Sequence, residues 1–193
     1  MYSTGNSELG QDLTEAKRLF LLAENVPEAY FNLGMMALSE KEISQAVEYF
    51  QRAVVFGELS KAAQNVGVAY YHGRSVARNL TAAVEWWERA GNGDSLMKAA
   101  QTLLLKDPSL PPVDIPYVLH LFRRSANTGY IPAALYLGRY HDSLGEKGEA
   151  FHWFLKAARH GNQEAREYLT KLQSQQQIEE EEDDWPEEED GEL

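Results

Sequence analysis

The chain has 193 residues, of which 44% are hydrophobic and 25% charged, and it contains no cysteine. This composition is that of a globular protein with one sizeable core, and it excludes disulfides, thiolate metal sites and cysteine nucleophiles. The net charge of −12 comes almost entirely from residues 179–193, which hold eleven acidic residues and neither Lys nor Arg, so residues 1–178 carry a net charge of −1.

The charge distribution and the N-terminus set the expected environment. The body has no concentrated basic surface, which nucleic-acid binding requires, and no segment has the about 20 apolar residues of a membrane-spanning helix. Residues 1–11 are predicted to be flexible, and they lack the basic start and apolar stretch of a signal peptide. We therefore expect a cytoplasmic protein, or one in the lumen or at the membrane of the endoplasmic reticulum if the chain is part of a longer precursor.

Two residue patterns alternate along the chain from residue 16 onward, and each recurs five times. The first, Ala-x-x-x-[Leu/Val], begins at Ala29, Ala62, Ala99, Ala133 and Ala165. The second, [Ala/Val]-x-x-x-[Phe/Trp]-x-x-[Ala/Ser], begins at Ala16, Ala46, Ala83, Val118 and Ala150. Both spacings put their residues on one face of a helix, so each repeat is predicted to be two helices in which a small residue meets a large aromatic.

In chain order, the patterns predict ten helices and no strand. They are expected at 12–24, 28–38, 43–56, 60–72, 80–91, 95–106, 114–128, 132–143, 147–160 and 163–175. The helix at 12–24 is of the second type and lacks a first-type partner, whereas the helix at 163–175 is predicted to cap the array. The fold class is therefore all-α, a right-handed α-solenoid over residues 12–175.

Local signals support these boundaries. Pro27 and Pro132 suit a first helical turn. The residues predicted to cap second helices are Asp12, Ser44, Asn79 and Asp114. The glycines predicted to end second helices in the left-handed conformation are Gly57, Gly93, Gly129 and Gly161.

The pattern resembles the Sel-1-like repeat family, a relative of the tetratricopeptide repeat. The best match in residues 60–92 consists of Ala63, Gly67, Tyr70, Tyr71, Gly73, Val76, Asn79, Ala83, Trp86, Trp87 and Ala90. The repeat near residue 104 departs from the pattern, because Leu104 replaces glycine and a proline-rich connection follows at 107–112. The resemblance implies a non-catalytic scaffold or adaptor.

A row of residues on the first helices is predicted to line the concave face of the array. It consists of Asn32, Met36, Asn65, Thr102, Tyr136, Tyr140 and His141. Asn side chains can hold an extended peptide, while Met and Tyr supply adaptable apolar contacts. We predict that a partner peptide or helix binds this row; the alternative is that these residues face solvent or pack between helices.

Other chemistry-bearing residues have structural explanations. Trp86, Trp87, Trp153 and Phe154 recur where packing requires an aromatic, so we place them in the core. The five histidines lack the spacing of a metal site, and we expect no catalytic residues, no metal and no cofactor. Asn79-Leu80-Thr81 is a glycosylation sequon, but capping also explains Asn79.

Residues 176–193 are too acidic and too poor in apolar side chains to fold, so this tail is predicted to be disordered. Trp185 stands alone within the acidic run. It is a candidate anchor for a partner's pocket, with the charges steering toward a basic protein; a solubilising tether is the alternative.

The leading hypothesis is a non-enzymatic scaffold or adaptor that binds a partner protein on the concave face. One alternative is an acidic-tail chaperone or decoy for a basic protein. Another is a C-terminal structural segment of a larger Sel-1-like protein of the endoplasmic reticulum.

Overall fold

The computed structural model describes residues 14–23, 25–57, 60–73 and 76–183, and all regular structure among them is α-helical. The first helix, α1, covers residues 14–22. The others are α2 (Pro27–Ser39), α3 (Ile43–Gly57), α4 (Ser60–His72), α5 (Leu80–Ala90), α6 (Gly93–Leu103), α7 (Ile115–Asn127), α8 (Ile131–Ser143), α9 (Lys147–Arg159) and α10 (Gln163–Asp183). The prediction of an all-α array of helix pairs is confirmed.

Helix boundaries agree with the predicted ones to within three residues from α2 to α9, but α10 is longer than predicted. It continues to Asp183 instead of ending at residue 175. Gln and Glu, which dominate this stretch, are good helix formers, and Pro186 is the first residue that cannot continue a helix. The rest of the predicted disordered tail, including Trp185, and the N-terminal residues 1–11 lie outside the described residues.

In each of three helix pairs, a glycine of one helix packs against an aromatic ring of the other. A Cβ atom added to Gly34 would lie 2.5 Å from the Phe50 ring. One added to Gly67 would lie 2.5 Å from the Trp87 ring, and one added to Gly138 would lie 3.0 Å from the Phe154 ring. The predicted meeting of small and large residues is therefore confirmed in the pairs α2–α3, α4–α5 and α8–α9, and it lets each pair pack closely.

Capping follows the prediction at some helix ends and departs from it at others. The Asn79 side chain accepts a hydrogen bond from the Ala82 N–H at 3.0 Å, and Asp114 accepts one from the Tyr117 N–H at 3.2 Å. Ser44, in contrast, lies inside α3. Pro27 and Pro132 occupy first turns as predicted.

The predicted left-handed stops are correct at Gly129 and Gly161, with φ of 88° and 85°, and wrong at two other glycines. Gly57 is still helical at the end of α3. Gly93 begins α6 behind the capping residue Asn92, because α5 has already ended at Gly91 with a φ of 67°. Two candidate stop glycines are thus separated by one residue, and the Asn between them starts the next helix.

The chain forms two compact units, Met1–Thr128 and Gly129–Leu193. In the first unit, the core centred on Leu33, Phe50 and Val66 joins α2, α3 and α4. In the second unit, α9 packs on both α8 and α10, with the Phe154 and Tyr168 rings stacked at 3.9 Å between centroids.

Candidate functional site

The predicted row of binding residues is distributed over α2, α4, α6 and α8, and its members differ in exposure. Asn32 is exposed. The half-buried members are Met36, Asn65, Tyr136 and Tyr140. Burial, together with the nearby Tyr140, raises the pKa of the Tyr136 phenol above its ordinary value.

The placement of His141 on an accessible ridge is wrong. Only 5% of its surface is exposed, and its Nδ1 lies 2.5 Å from the Glu146 carboxylate. His141 follows the core residue Leu137 by four positions, and a spacing of four returns a side chain to the same helix face. It therefore belongs to the buried stripe of α8.

Thr102 is also more buried than predicted, with 3% of its surface exposed. In α6 the buried stripe contains Ala99 and Thr102, whereas Leu103, which the repeat pattern places in the core, is half-buried. The buried residues Ser95, Leu96, Ala99, Ala100 and Thr102 each follow a buried residue of α4 by 33 positions, so α6 presents the same face as α4 and the pattern was aligned one turn too late in this repeat. As a result, Thr102 lines a cavity instead of forming part of an open ridge.

The first unit contains a cavity of about 380 Å³ lined by residues of α4, α5 and α6, which we call the α4–α6 cavity. Its lining residues are Val68, Tyr71, His72, Trp87, Lys98, Gln101, Thr102 and Leu105. The volume lies at the lower end of the roughly 300–1,000 Å³ range of ligand-binding clefts. It is sufficient for a peptide side chain and its adjoining backbone.

Helical spacing explains how the lining residues converge. Val68, Tyr71 and His72 stand three and four residues apart on α4, and Lys98, Gln101, Thr102 and Leu105 repeat this spacing on and just after α6. Asn65 precedes Val68 by three residues, so it lies on the same face of α4 one turn earlier. Two first-type helices therefore face one cavity, as the repeat pattern predicts for a binding surface.

Trp87 supplies the wall between the two helices. It projects from α5 against Gly67 of α4, and its ring lies 5.4 Å from the Tyr71 ring between centroids. The prediction that Trp87, Trp153 and Phe154 belong to the core is confirmed, since each is at most 5% exposed, while Trp86 is half-buried. Trp87 has a second role because it also lines the cavity.

The polar groups around the cavity include both donors and acceptors of hydrogen bonds. Lys98 Nζ lies 2.6 Å from the Asp94 carboxylate, which also accepts a hydrogen bond of 2.6 Å from the Gln64 amide. These contacts tie α4 to α6 beside the cavity. None of the eight lining residues is acidic, and the amide, hydroxyl and imidazole groups among them can each donate or accept a hydrogen bond.

The Trp87 indole N–H is buried in the contact between α4 and α5. Trp87 is 2% exposed, and its Nε1 has no hydrogen-bond partner among the residues that the structure describes. A buried donor without an acceptor costs about 1–3 kcal/mol relative to a satisfied one. Nε1 lies against Gly67, since a Cβ atom added there would be 2.5 Å away, so Trp87 lines the cavity with other atoms of its ring.

Sequence analysis missed most of this cavity. Tyr71 belongs to the repeat motif and His72 follows it at an unspecified position, but neither side chain was assigned to a surface. The spacing of Lys98, Gln101 and Leu105 was a usable signal, because it marks one helical face offset by one residue from the predicted row. The repeat pattern was aligned one turn too late on α6, so it did not match this face with the corresponding face of α4.

Two further cavities differ in chemistry from the α4–α6 cavity. One, of about 380 Å³ between α2 and α3, includes Tyr30, Arg52 and Phe56. The Arg52 guanidinium lies over the Tyr30 ring there, so the cation and the aromatic ring of this cavity already contact each other. The other, of about 300 Å³ in the second unit, includes Phe151 and Leu172.

The described ranges contain no group of three or more His, Asp or Glu residues that could hold a metal ion. Within them, no helix combines the length and apolar character needed to cross a bilayer.

Comparison with known proteins places repeats on most of these helix pairs. The family model of the Sel1 repeat matches residues 1–25, 60–95 and 131–162, and that of the tetratricopeptide repeat matches residues 27–54. The ranges 60–95 and 131–162 contain the pairs α4–α5 and α8–α9, where a glycine packs against an aromatic. The α4–α6 cavity therefore begins within a matched Sel1 repeat.

One curated protein is similar in sequence, and two solved structures share the fold. The chain is 32% identical over 119 residues to the chitin synthase regulator SKT5 of Saccharomyces cerevisiae, a match that covers 57% of this chain and 17% of the yeast protein. A Sel1 repeat protein of Oxalobacter formigenes superposes with a TM-score of 0.61 at 24% identity, over 81% of this chain and 69% of that one. The protective antigen c5321 of uropathogenic Escherichia coli superposes with a TM-score of 0.67 at 22% identity, over 81% and 36%.

Proposed function

We propose that this chain, which belongs to the Sel1 repeat family, is a protein-binding scaffold that holds a segment of a partner protein in the α4–α6 cavity. The observation that carries the proposal is the cavity itself, which two first-type helices line with both apolar side chains and hydrogen-bond donors. Binding of this kind needs an apolar pocket with a few placed polar groups.

The family supports a binding role. Proteins built from Sel1 and tetratricopeptide repeats generally mediate protein–protein interactions, and the fold is typically a non-catalytic scaffold. The yeast relative is named as a regulator of an enzyme, which is an action exerted on another protein. The chain matches about a sixth of that relative's length, so this comparison supports the kind of function and not the identity of the partner.

The proposal is tested by filling the cavity from its exposed rim. Gln101 is exposed and lines the cavity, so Gln101→Trp places a bulky ring across the opening without disturbing the core. Gln45→Trp on α3 is the matched control, because Gln45 is also exposed and is not part of the lining. Partners captured by affinity purification and quantified by mass spectrometry should be lost with Gln101→Trp and retained with Gln45→Trp.

The same experiment distinguishes binding by the acidic tail from binding by the cavity. A chain ending at Asp183 keeps α10 and removes Trp185 together with six acidic residues. If partners disappear with this truncation and in high salt but survive Gln101→Trp, binding is electrostatic and belongs to the tail. That result would overturn the cavity proposal in favour of the acidic chaperone or decoy.

A further inference from the structure

We propose that two copies of this chain associate head to tail, with α10 of one copy packed against α1 and the start of α2 of the other. The two helices then form one further helix pair of the kind that recurs within the chain. The inference goes beyond the proposed function, because none of the residues that carry it lines the α4–α6 cavity.

The first observation is the open face of α1. This helix is of the second type, and no first-type helix precedes it among the residues that the structure describes. Its core aromatic, Phe20, is only half-buried. The equivalent aromatics of the four complete helix pairs are at most 2% exposed, and they are Phe50, Trp87, Phe122 and Phe154.

Leu19 shows the same difference. It directly precedes Phe20 and is 53% exposed. In three complete pairs the residue at this position is at most 9% exposed, and in the fourth it is half-buried; these residues are Tyr49, Leu121, Trp153 and Trp86. Removing the Leu19 side chain from water therefore favours association with a helix that covers this face.

The second observation is the complementary open face of α10. This helix is of the first type, and within the described part of the chain no second-type helix follows it. Leu169 is half-buried, whereas its equivalents Leu33, Val66 and Leu137 are fully buried. Thr170 is exposed at the position where other first-type helices place a buried glycine against the partner's ring. Each of the two helices thus presents the half of a helix pair that the other lacks.

The third observation is a charge pair that the proposed contact would repeat. The Arg139 guanidinium on α8 donates to both carboxylate oxygens of Glu164 on α10, at 2.8 and 2.6 Å, and so joins two successive first-type helices. The equivalent positions on α10 and α2 carry Lys171 and Glu28, which are both exposed. If α10 packs on α1 of a second copy, it is related to α2 of that copy as α8 is related to α10. Lys171 then faces Glu28 of the second copy.

The contact is expected to be weaker than a helix pair within one chain. Thr170 is larger than glycine, although α6 packs on α7 with Ala100 at the equivalent position. Each copy also carries a net charge of −12, which opposes association. We therefore expect association that depends on protein concentration.

Sedimentation velocity of the full chain over a series of concentrations tests the inference. The average mass should rise above that of one chain as the concentration increases. Leu19→Arg and Thr170→Arg should each weaken association at least about tenfold, because each places a charge in the contact. Both positions are exposed, so the variants should keep the fold, which circular dichroism checks.

Leu22→Arg is the matched control on α1. Leu22 is 65% exposed, and the equivalent position of the complete pairs carries a basic residue in every case, namely Arg52, Arg89, Arg124 and Lys156. The same substitution on the same helix should therefore leave association unchanged.

Mixing the two disruptive variants distinguishes a head-to-tail contact from a symmetric one. Leu19→Arg keeps an intact α10 face, and Thr170→Arg keeps an intact α1 face. An equal mixture should therefore form dimers with one copy of each and nothing larger, whereas each variant alone stays monomeric. A symmetric contact uses the same surface on both copies and cannot be restored in this way.

Exchanging the charges tests the register of the contact. Glu28→Lys and Lys171→Glu should each weaken association about twofold to fivefold, because a surface ion pair contributes little and like charges repel. A mixture of these two variants should associate as well as the unmodified chain, since every contact in it joins opposite charges. A mixture no stronger than the single variants would overturn the placement of α10 against α2.

Three further results would contradict the inference. A chain that stays monomeric up to millimolar concentration shows that a second copy does not cover α1. If Thr170→Arg associates as well as the unmodified chain, the contact does not use α10. If Leu22→Arg weakens association as much as Leu19→Arg, the contact is unspecific. The proposed function is decided separately, by Gln101→Trp.

Discussion

Gly67 shows how one residue sets the distance between two helices. Its Cα lies so close to the Trp87 ring that an added Cβ would be 2.5 Å from the ring atoms Cδ1 and Nε1. The ring is buried and packed on several sides, so it cannot withdraw as the end of a flexible side chain could. The same relation holds between Gly34 and Phe50.

We predict that Gly67→Ala destabilises the protein by about 1–2 kcal/mol. Overpacking costs about 1–3 kcal/mol, and the better helix propensity of alanine returns about 0.5–1 kcal/mol. Gly148→Ala is the control, because no atom of the described structure lies within 4 Å of its added Cβ, and it should stabilise by about 0.5 kcal/mol. Urea unfolding measures both changes. Equal effects at the two positions would contradict the conclusion that the Trp87 ring leaves no room for a Cβ atom at residue 67.

Tyr117 gives the protein a predicted response to alkaline pH. Its hydroxyl donates a hydrogen bond of 2.6 Å to Glu88, and burial, together with this bond and the carboxylate charge, raises the pKa of Tyr117 to about 12. Because this pKa is higher in the folded chain than the value of about 10 in an unfolded one, the stabilisation is complete below pH 10 and is lost as the pH rises through 12.

The stability advantage of the unmodified chain over Tyr117→Phe should therefore shrink between pH 10 and pH 12. Urea unfolding at a series of pH values measures this difference, and the absorbance of tyrosinate follows the titration directly. A difference that stays constant across this range would show that Tyr117 does not couple folding to pH.

At the level of elements, two asparagines cap successive helices but make different numbers of hydrogen bonds. Asn79 caps α5 through one hydrogen bond to the Ala82 N–H. Asn92 caps α6 by accepting from the Ser95 N–H at 2.9 Å, and its amide also donates to the Ser60 hydroxyl at 2.9 Å. That hydroxyl in turn donates to the Ala90 carbonyl at 2.6 Å, so Asn92 connects the start of α4 with the junction of α5 and α6.

Asn92→Ala should destabilise the chain more than Asn79→Ala. The loss of either cap costs about 1 kcal/mol, and the additional bond to Ser60 adds about 0.5–1.5 kcal/mol. Asn92→Asp separates the two contributions, because it keeps the capping oxygen and removes the amide donor. If the two alanine variants unfold at the same urea concentration, the connection through Ser60 does not stabilise the fold.

The sequence was sufficient to predict the helices, but not the alignment of the repeat pattern on α6. Periodicity and the recurrence of small and aromatic residues define where each helix lies and which small residue packs on which ring, as Gly34, Gly67 and Gly138 demonstrate. On α6 the predicted pattern starts at Ala99, whereas the buried residues start one turn earlier, at Ser95, 33 positions after Ala62 of α4. A single degenerate repeat does not decide between two alignments that differ by one turn.

The candidate site was only partly predictable from the sequence. Sequence analysis predicted a binding surface on the first-type helices, and two of these helices, α4 and α6, line the α4–α6 cavity; that a partner binds there stays a prediction. Trp87 was correctly placed in the core, but its position in the cavity wall depends on the packing of three helices, which a single sequence does not show. His141 was misplaced because a four-residue step from Leu137 was assigned to the wrong helix face.

At the scale of the whole molecule, the extensive contacts within each unit join consecutive helices, as in repeat arrays where each repeat is stabilised by its neighbours. We predict that Phe50→Leu, which weakens the ring packed on Gly34, increases amide hydrogen exchange mainly in α2 and α3. Exchange in α8 and α9 should change much less. Hydrogen exchange measured by mass spectrometry tests this, and a uniform increase along the chain would indicate one cooperative unit instead.

The glycine–aromatic interlock also has an evolutionary consequence. Because Gly67 and Trp87 belong to the same helix pair, as do Gly34 and Phe50, a gene duplication or deletion that respects whole pairs leaves every other interlock intact. A change in array length therefore has to preserve only the contacts between neighbouring pairs, such as those of α3 with α4.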